Sequence, residues 1–211
     1  MQQLHKIESW LQANLPEVAS DLQPGAAQNE LQHFVTSLGI NVPDEFLCLY
    51  AWHNGQEMKV ISGPWYGLNF LPLHRVLQEC LMWRQVLQES SEESLRKLSS
   101  QMSSTPDGFV KMEYANEKWI PFAYDGAGNY LGVDLDPDER GAYGQVINFG
   151  RDEERKIAIS PSIGSFLTWF LDELLSGNVN IKEESDGGRS FNTLRPEKYH
   201  FLDSVALIFP K

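Results

Sequence analysis

Residues 118–137 read K-W-I-P-F-A-Y-D-G-A-G-N-Y-L-G-V-D-L-D-P. Two apolar runs flank Asp125-Gly126-Ala127-Gly128-Asn129, and the second run ends in alternating Asp134, Asp136 and Asp138. Glycine supplies positive φ and Asx side chains bond their own backbone, so the middle is a turn and the runs are two buried strands of a hairpin. Polar groups gather at the hairpin tips, and nothing in the pattern dictates a reaction.

Outward from the hairpin, the stretches 109–115, 119–124, 130–135 and 145–149 are strand candidates, with a fifth at 156–159. Asp-Gly, Gly-Asn and Gly-Ala turns separate them, which predicts an antiparallel meander. Upstream, 58–61 and 65–71 surround a Gly63-Pro64 turn and read as two further strands. Helical spacing governs the remainder. Leu4, Ile7, Trp10 or Leu11, and Leu15 form one stripe before Pro16, and Leu31, Phe34, Val35 and Leu38 form another before Gly39. Pro43-Asp44-Glu45 opens a third helix with Phe46, Leu49 and Tyr50 on its buried face, stopped by His53-Asn54-Gly55. Leu73, Val76, Leu77, Cys80, Leu81, Arg84 and Leu87 begin a helical insert over about 73–103, whose second half is capped at Ser90-Ser91-Glu92-Glu93. Residues 103–108 are turn-rich. Ser160-Pro161 caps a last helix carrying Ile163, Phe166, Leu167, Phe170, Leu171 and Leu174 before Gly177.

The expected fold class is α+β: a mainly antiparallel sheet of about five to six strands packed with N-terminal and C-terminal helices. Residues 1–177 are expected to form this domain. Residues 178–211 are expected to be a polar linker over 178–190, then an apolar tail with Tyr199, Phe201, Leu202 and Val205 that docks on the core or on a second subunit.

With 42% hydrophobic and 11% aromatic residues in 211, the chain can bury a core, which excludes general disorder. No apolar run reaches the roughly 20 residues that span a bilayer, and the first residues lack a signal-peptide core, so a cytoplasmic location is expected. Cys48 and Cys80 are too few for a disulfide framework and sit among apolar neighbours, which predicts buried thiols. The formal charge of −12 opposes binding to phosphate backbones and anionic membranes and favours a basic partner.

The carboxylates are the sharpest candidates for chemistry. Asp125, Asn129, Asp134, Asp136 and Asp138 offer oxygen ligands, but the spacing lacks an oxygen at Ala127 and places Tyr130 where a calcium loop needs glycine. The Gly-rich turn has neither Lys-Ser/Thr nor a following helix, so it does not cradle phosphate. No catalytic residue, metal or cofactor is predicted. The candidate recognition surface is the acidic hairpin end, Asp125, Asp134, Asp136, Asp138 and Glu139, with Trp65 and Tyr66 beside Gly63-Pro64 as exposed aromatic anchors.

One ordered set of residues resembles a known superfamily. It comprises Gly39-Ile40-Asn41-Val42-Pro43-Asp44-Glu45-Phe46 with Tyr50 and Asn54-Gly55, then the 119–130 hairpin with Asp134, Gly144-Gln145-Val146-Ile147, and the Ile163 helix. Together they span about 28–176 and resemble the SUKH superfamily, in the branch of the fungal cell-wall assembly and glucan-synthesis regulator. The resemblance implies an α+β protein-binding module without catalysis. Many bacterial members look like immunity proteins that neutralise a polymorphic toxin, so an immunity protein covering a basic toxin domain is the leading expectation. A regulatory scaffold in wall or signalling pathways, and a metal-dependent enzyme or small-molecule binder using the carboxylates, are the alternatives. The insert near 82–108, the tail after 177, and Gly150-Arg151 where many relatives carry histidine before Asp152 depart from the pattern.

Overall fold

The computed structural model describes residues 2–60, 62–184 and 188–210. The chain opens with α1 (Gln2–Asn14) and α2 (Pro16–Asp21), followed by α3 (Gln28–Leu38) and α4 (Asp44–Trp52). Next come β1 (Asn69–Phe70), α5 (Leu73–Glu89), α6 (Glu92–Ser99) and β2 (Ser103–Thr105). The hairpin strands are β3 (Trp119–Tyr124) and β4 (Asn129–Asp134), continued by β5 (Gln145–Gly150) and β6 (Arg155–Ser160). After α7 (Ile163–Ser176) the chain ends in β7 (Asn180–Glu183), β8 (Arg189–Asn192) and α8 (Phe201–Ile208). The six-stranded sheet has the order β1-β3-β4-β5-β6-β2 and is antiparallel except where β2 joins β6. The fold class is therefore α+β, as the sequence predicts.

Local chemistry sets the helix ends. Glu30 reaches back to accept from the Ala27 N–H at 2.7 Å at the start of α3, and Gly39 closes that helix at φ 71. Ser91 caps α6 and Ser162 caps α7, each accepting from the N–H three residues on. Gly132 sits mid-β4 because a Cβ there would lie 2.4 Å from the Ile120 carbonyl oxygen.

Both faces of the sheet are covered. On one face Tyr124, Tyr130, Phe149 and Trp119 form a chain of ring contacts, with centroids 5.2–5.6 Å apart, and α5 packs beside them. On the other, Phe122 and Trp65 meet Phe166 and, for Trp65, also Phe170 of α7. This two-sided cover explains why every residue of β4 and β5 is buried. The C-terminal segment packs on the same core through Phe191, Phe201 and Val205. Among the described residues no helix is long and apolar enough to cross a membrane.

Several expectations are corrected. Residues 109–115 form no strand. Ser104 Oγ donates to the Pro106 carbonyl and accepts from the Val110 N–H at 3.0 Å, and these bonds fold that stretch into a loop. The segment 103–105 supplies the strand instead and lies parallel to β6. Upstream, among the described residues, only Asn69–Phe70 is a strand. Residues 63–68 curl into a tight turn with Gly63–Gly67 and Trp65–Leu68 bridges, while Ile61 lies outside the described residues. The polar stretch after 178 is a hairpin of β7 and β8, with residues 185–187 outside the described set. Cys80 is buried, but Cys48 is exposed because it falls on the outer side of α4, away from Phe46, Leu49 and Tyr50.

A candidate binding groove between helix α5 and the hairpin turn

The hairpin turn is held by its own side chains. Asp125 Oδ1 accepts from the N–H groups of Ala127 and Asn129 at 2.6 and 3.0 Å, and Oδ2 accepts from Asn129 Nδ2 at 2.8 Å. Asn129, nearly buried, accepts from the Asp152 N–H at 2.8 Å and so ties the turn to the end of β5. Gly150 makes that approach possible, since a Cβ on it would stand 2.5 Å from Asn129 Cα. Arg151, beside it, gives Nε and one terminal nitrogen to Asp152.

Between this turn and α5 lies a groove of about 500 Å3, lined chiefly by Glu79, Trp83, Tyr114, Tyr124, Tyr130 and Arg151. Trp83 and Tyr114 meet edge to face at 5.8 Å, and Tyr124 stacks on Tyr130 at 5.2 Å and 22°. Tyr114 is placed by its backbone N–H, which donates to Ser99 Oγ at 3.0 Å. At the floor, Glu79 is 7% exposed; it accepts from Tyr130 Oη at 2.8 Å and from an Arg75 terminal nitrogen at 3.1 Å. Burial first, then the Glu79 hydrogen bond and charge, push the Tyr130 phenol far above its usual range, so it stays a donor. Burial also raises Tyr124, helped by the charges of Glu79 and Asp125.

The expected site residues are not gathered as one surface. Asp125 lies in the turn, whereas Asp134 pairs across from Trp119 at the far end of β4, five residues beyond Asn129, or roughly 17 Å by strand rise. Asp134 is fully buried, accepting from the Asp136 N–H and Gln145 Nε2, each at 2.9 Å. Burial pushes its carboxyl up to about 6, against the pull of those hydrogen bonds. Asp136 is half-buried: desolvation raises it, but hydrogen bonds from Lys111 and Asn116 and the charges of Lys111 and Lys118 hold it below the ordinary range. Asp138 is half-buried and accepts from the Glu139 N–H at 2.9 Å, and Glu139 is exposed.

The expectation of exposed anchors at Trp65 and Tyr66 is also corrected. Trp65 is 0% and Tyr66 1% exposed, because the 63–68 turn drives both rings inward against α7 and the C-terminal segment. Glu79, Trp83, Tyr114, Tyr130 and Arg151 were absent from the expected set. One signal was available, an acid at position 79 within the stripe Leu73, Val76, Cys80 and Trp83, where an unpaired carboxylate would not be tolerated. Among the described residues no three His, Cys, Asp or Glu groups are gathered to hold a metal ion.

The chain thus presents a two-sided α+β domain with a groove lined by aromatic rings and one buried carboxylate. The chain belongs to the SMI1 / KNR4 family (SUKH-1), whose sequence model matches residues 25–169 and so contains every residue of the groove. It is 30% identical over 208 residues to the "Cell wall assembly regulator SMI1" of Saccharomyces cerevisiae, covering 85% of this chain and 41% of that protein. It is 28% identical to the "Cell wall biosynthesis/cell cycle regulator smi1" of Schizosaccharomyces pombe, covering 94% and 40%. With the "Glucan synthesis regulatory protein" of Neurospora crassa the identity is 28%, over 93% and 42%. The chain thus spans about two fifths of the length of these curated relatives.

Proposed function

We propose that this chain is a non-enzymatic regulatory module that binds another protein through the groove between α5 and the β3–β4 turn. The observation that carries it is the set of four aromatic rings converging over the buried Glu79, open to solvent between exposed Met82 and the exposed turn residues Gly126 and Ala127. Aromatic side chains in a concave, preorganised setting are where binding energy concentrates. The names of the three relatives favour regulation of wall assembly or glucan synthesis over neutralisation of a toxin. The charge of −12 supports a basic partner under either role.

The test is comparative capture from cells of the source organism, with bound proteins quantified for three forms of the bait. Ala127→Trp fills the groove from an exposed position, and Glu139→Lys alters the far end of the sheet. Loss of a specific set of proteins with Ala127→Trp but not with Glu139→Lys supports the reading. Equal capture by all three forms overturns it.

A further inference from the structure

We propose that the groove is an arginine pocket, receiving the guanidinium of one arginine side chain presented by the partner. It rests on the groove being the partner surface and adds the chemistry of the anchor. An ionised carboxylate accepts about four hydrogen bonds, and Glu79 takes one from Tyr130 and one from Arg75. Acceptor capacity therefore remains on a carboxylate already committed to a guanidinium pairing. The rings of Tyr124, Trp83 and Tyr114 line the same groove, and ring faces attract cations, while Tyr130, stacked between Tyr124 and Phe149, contributes its hydroxyl bond to Glu79. A guanidinium fits this setting better than an ammonium, because it is planar, stacks on rings and presents paired donors to a carboxylate. The rim does not compete: Arg151 is turned onto Asp152, and Asp125 is occupied within its turn. An anionic guest would face the carboxylate of Glu79.

The probe is N-acetyl-arginine methylamide, compared with its citrulline counterpart, in which the charge is removed and the shape kept. The indole N–H resonance of Trp83, assigned by its loss in Trp83→Phe, is followed through titration of the unmodified full chain. The arginine compound is expected to shift that resonance saturably, and citrulline to bind at least about tenfold more weakly, the scale of a lost charge-assisted contact. Glu79→Gln, which keeps an oxygen for Tyr130, is expected to erase the preference for arginine. Equal binding of arginine and citrulline, or no shift with either, overturns the proposal. Because the comparison is made on the unmodified protein, instability of Glu79→Gln cannot mask the answer. A groove that still loses partners with Ala127→Trp while showing no arginine preference would sink this inference and leave the binding reading intact.

Discussion

Tyr130 donates its hydroxyl hydrogen to Glu79 Oε2 at 2.8 Å, joining the hairpin to α5 through two buried side chains. The bond orients the groove's carboxylate and fills one of its acceptor positions. Removing the hydroxyl leaves a buried charge short of one donor, a loss of about 1–3 kcal/mol. Tyr130→Phe is expected to lower the urea midpoint accordingly while keeping the ring stack on Tyr124 and Phe149. An unchanged midpoint would mean that water or Arg75 replaces the donor.

Asp134 provides a pH signature. Its folded carboxyl is raised to about 6 by burial, above the ordinary value of 3.8, so the folded state holds the proton more tightly than the unfolded chain. Stability from this group is fully present below the unfolded value and is lost as pH rises through about 6, the opposite of a salt-bridged acid. The effect amounts to roughly 2–3 kcal/mol between pH 4 and 7. Asp134→Asn is expected to remove that slope when unfolding is measured at several pH values across this range. A mutant slope equal to the wild-type slope would assign the pH dependence elsewhere.

Much of the fold was legible because its signals are local. The apolar stripes of α3 and α7, with Gly39 and Gly177 in left-handed positions, and the Asx turn at Asp125 follow from neighbouring residues alone. The errors involve long-range choices. Residues 109–115 have strand composition, yet Ser104 and the 106–108 turn claim their backbone, while the strand pairing with β6 is made by three polar residues, Ser103–Thr105. Burial of Trp65 and Tyr66 depends on α7 and on a C-terminal segment more than a hundred residues away. The expected acidic residues are not gathered for a geometric reason, since Asp125 lies in the hairpin turn and Asp134 at the far end of β4. The groove is assembled from α5, strands β3 and β4, a loop and a turn, and only the misplaced acid at Glu79 announced it.

The buried Tyr66 predicts a structural role. Its hydroxyl donates to the Asn178 carbonyl at 2.8 Å and its ring meets Phe170, Phe191 and Phe201. Tyr66→Ala is expected to cost about 3–5 kcal/mol in unfolding free energy, the range for emptying an aromatic core position. Hydrogen exchange of α8 should rise with it. A loss below about 1 kcal/mol, the range of surface changes, would contradict the burial.

Arg189 clasps the two ends of the chain, giving Nε to Glu17 Oε1 at 2.6 Å and a second nitrogen to Glu17 Oε2, with a further bond to the Asn14 carbonyl. The Arg189 hydrogen bond is the largest influence on Glu17 and holds its carboxyl below the ordinary range. That contribution is therefore present at neutral pH and is lost as pH falls through the lowered value. Solvent screening keeps it to about 1 kcal/mol or less. Arg189→Gln is expected to lower the thermal midpoint slightly at pH 7, with the difference shrinking under strong acid; a difference that grows with acid would reverse the sign.

The groove as the partner surface is tested most directly by a photo-reactive amino acid at Met82, on its exposed wall, against the same group at Glu139 at the far end of the sheet. Both positions are open to solvent, so random collision labels them alike. The expected result, in cells of the source organism, is a discrete cross-linked species from Met82 that disappears in the Ala127→Trp background, with none from Glu139. Discrete cross-linking at Glu139 with none at Met82 would contradict the account and return the binding surface to the acidic end of the hairpin.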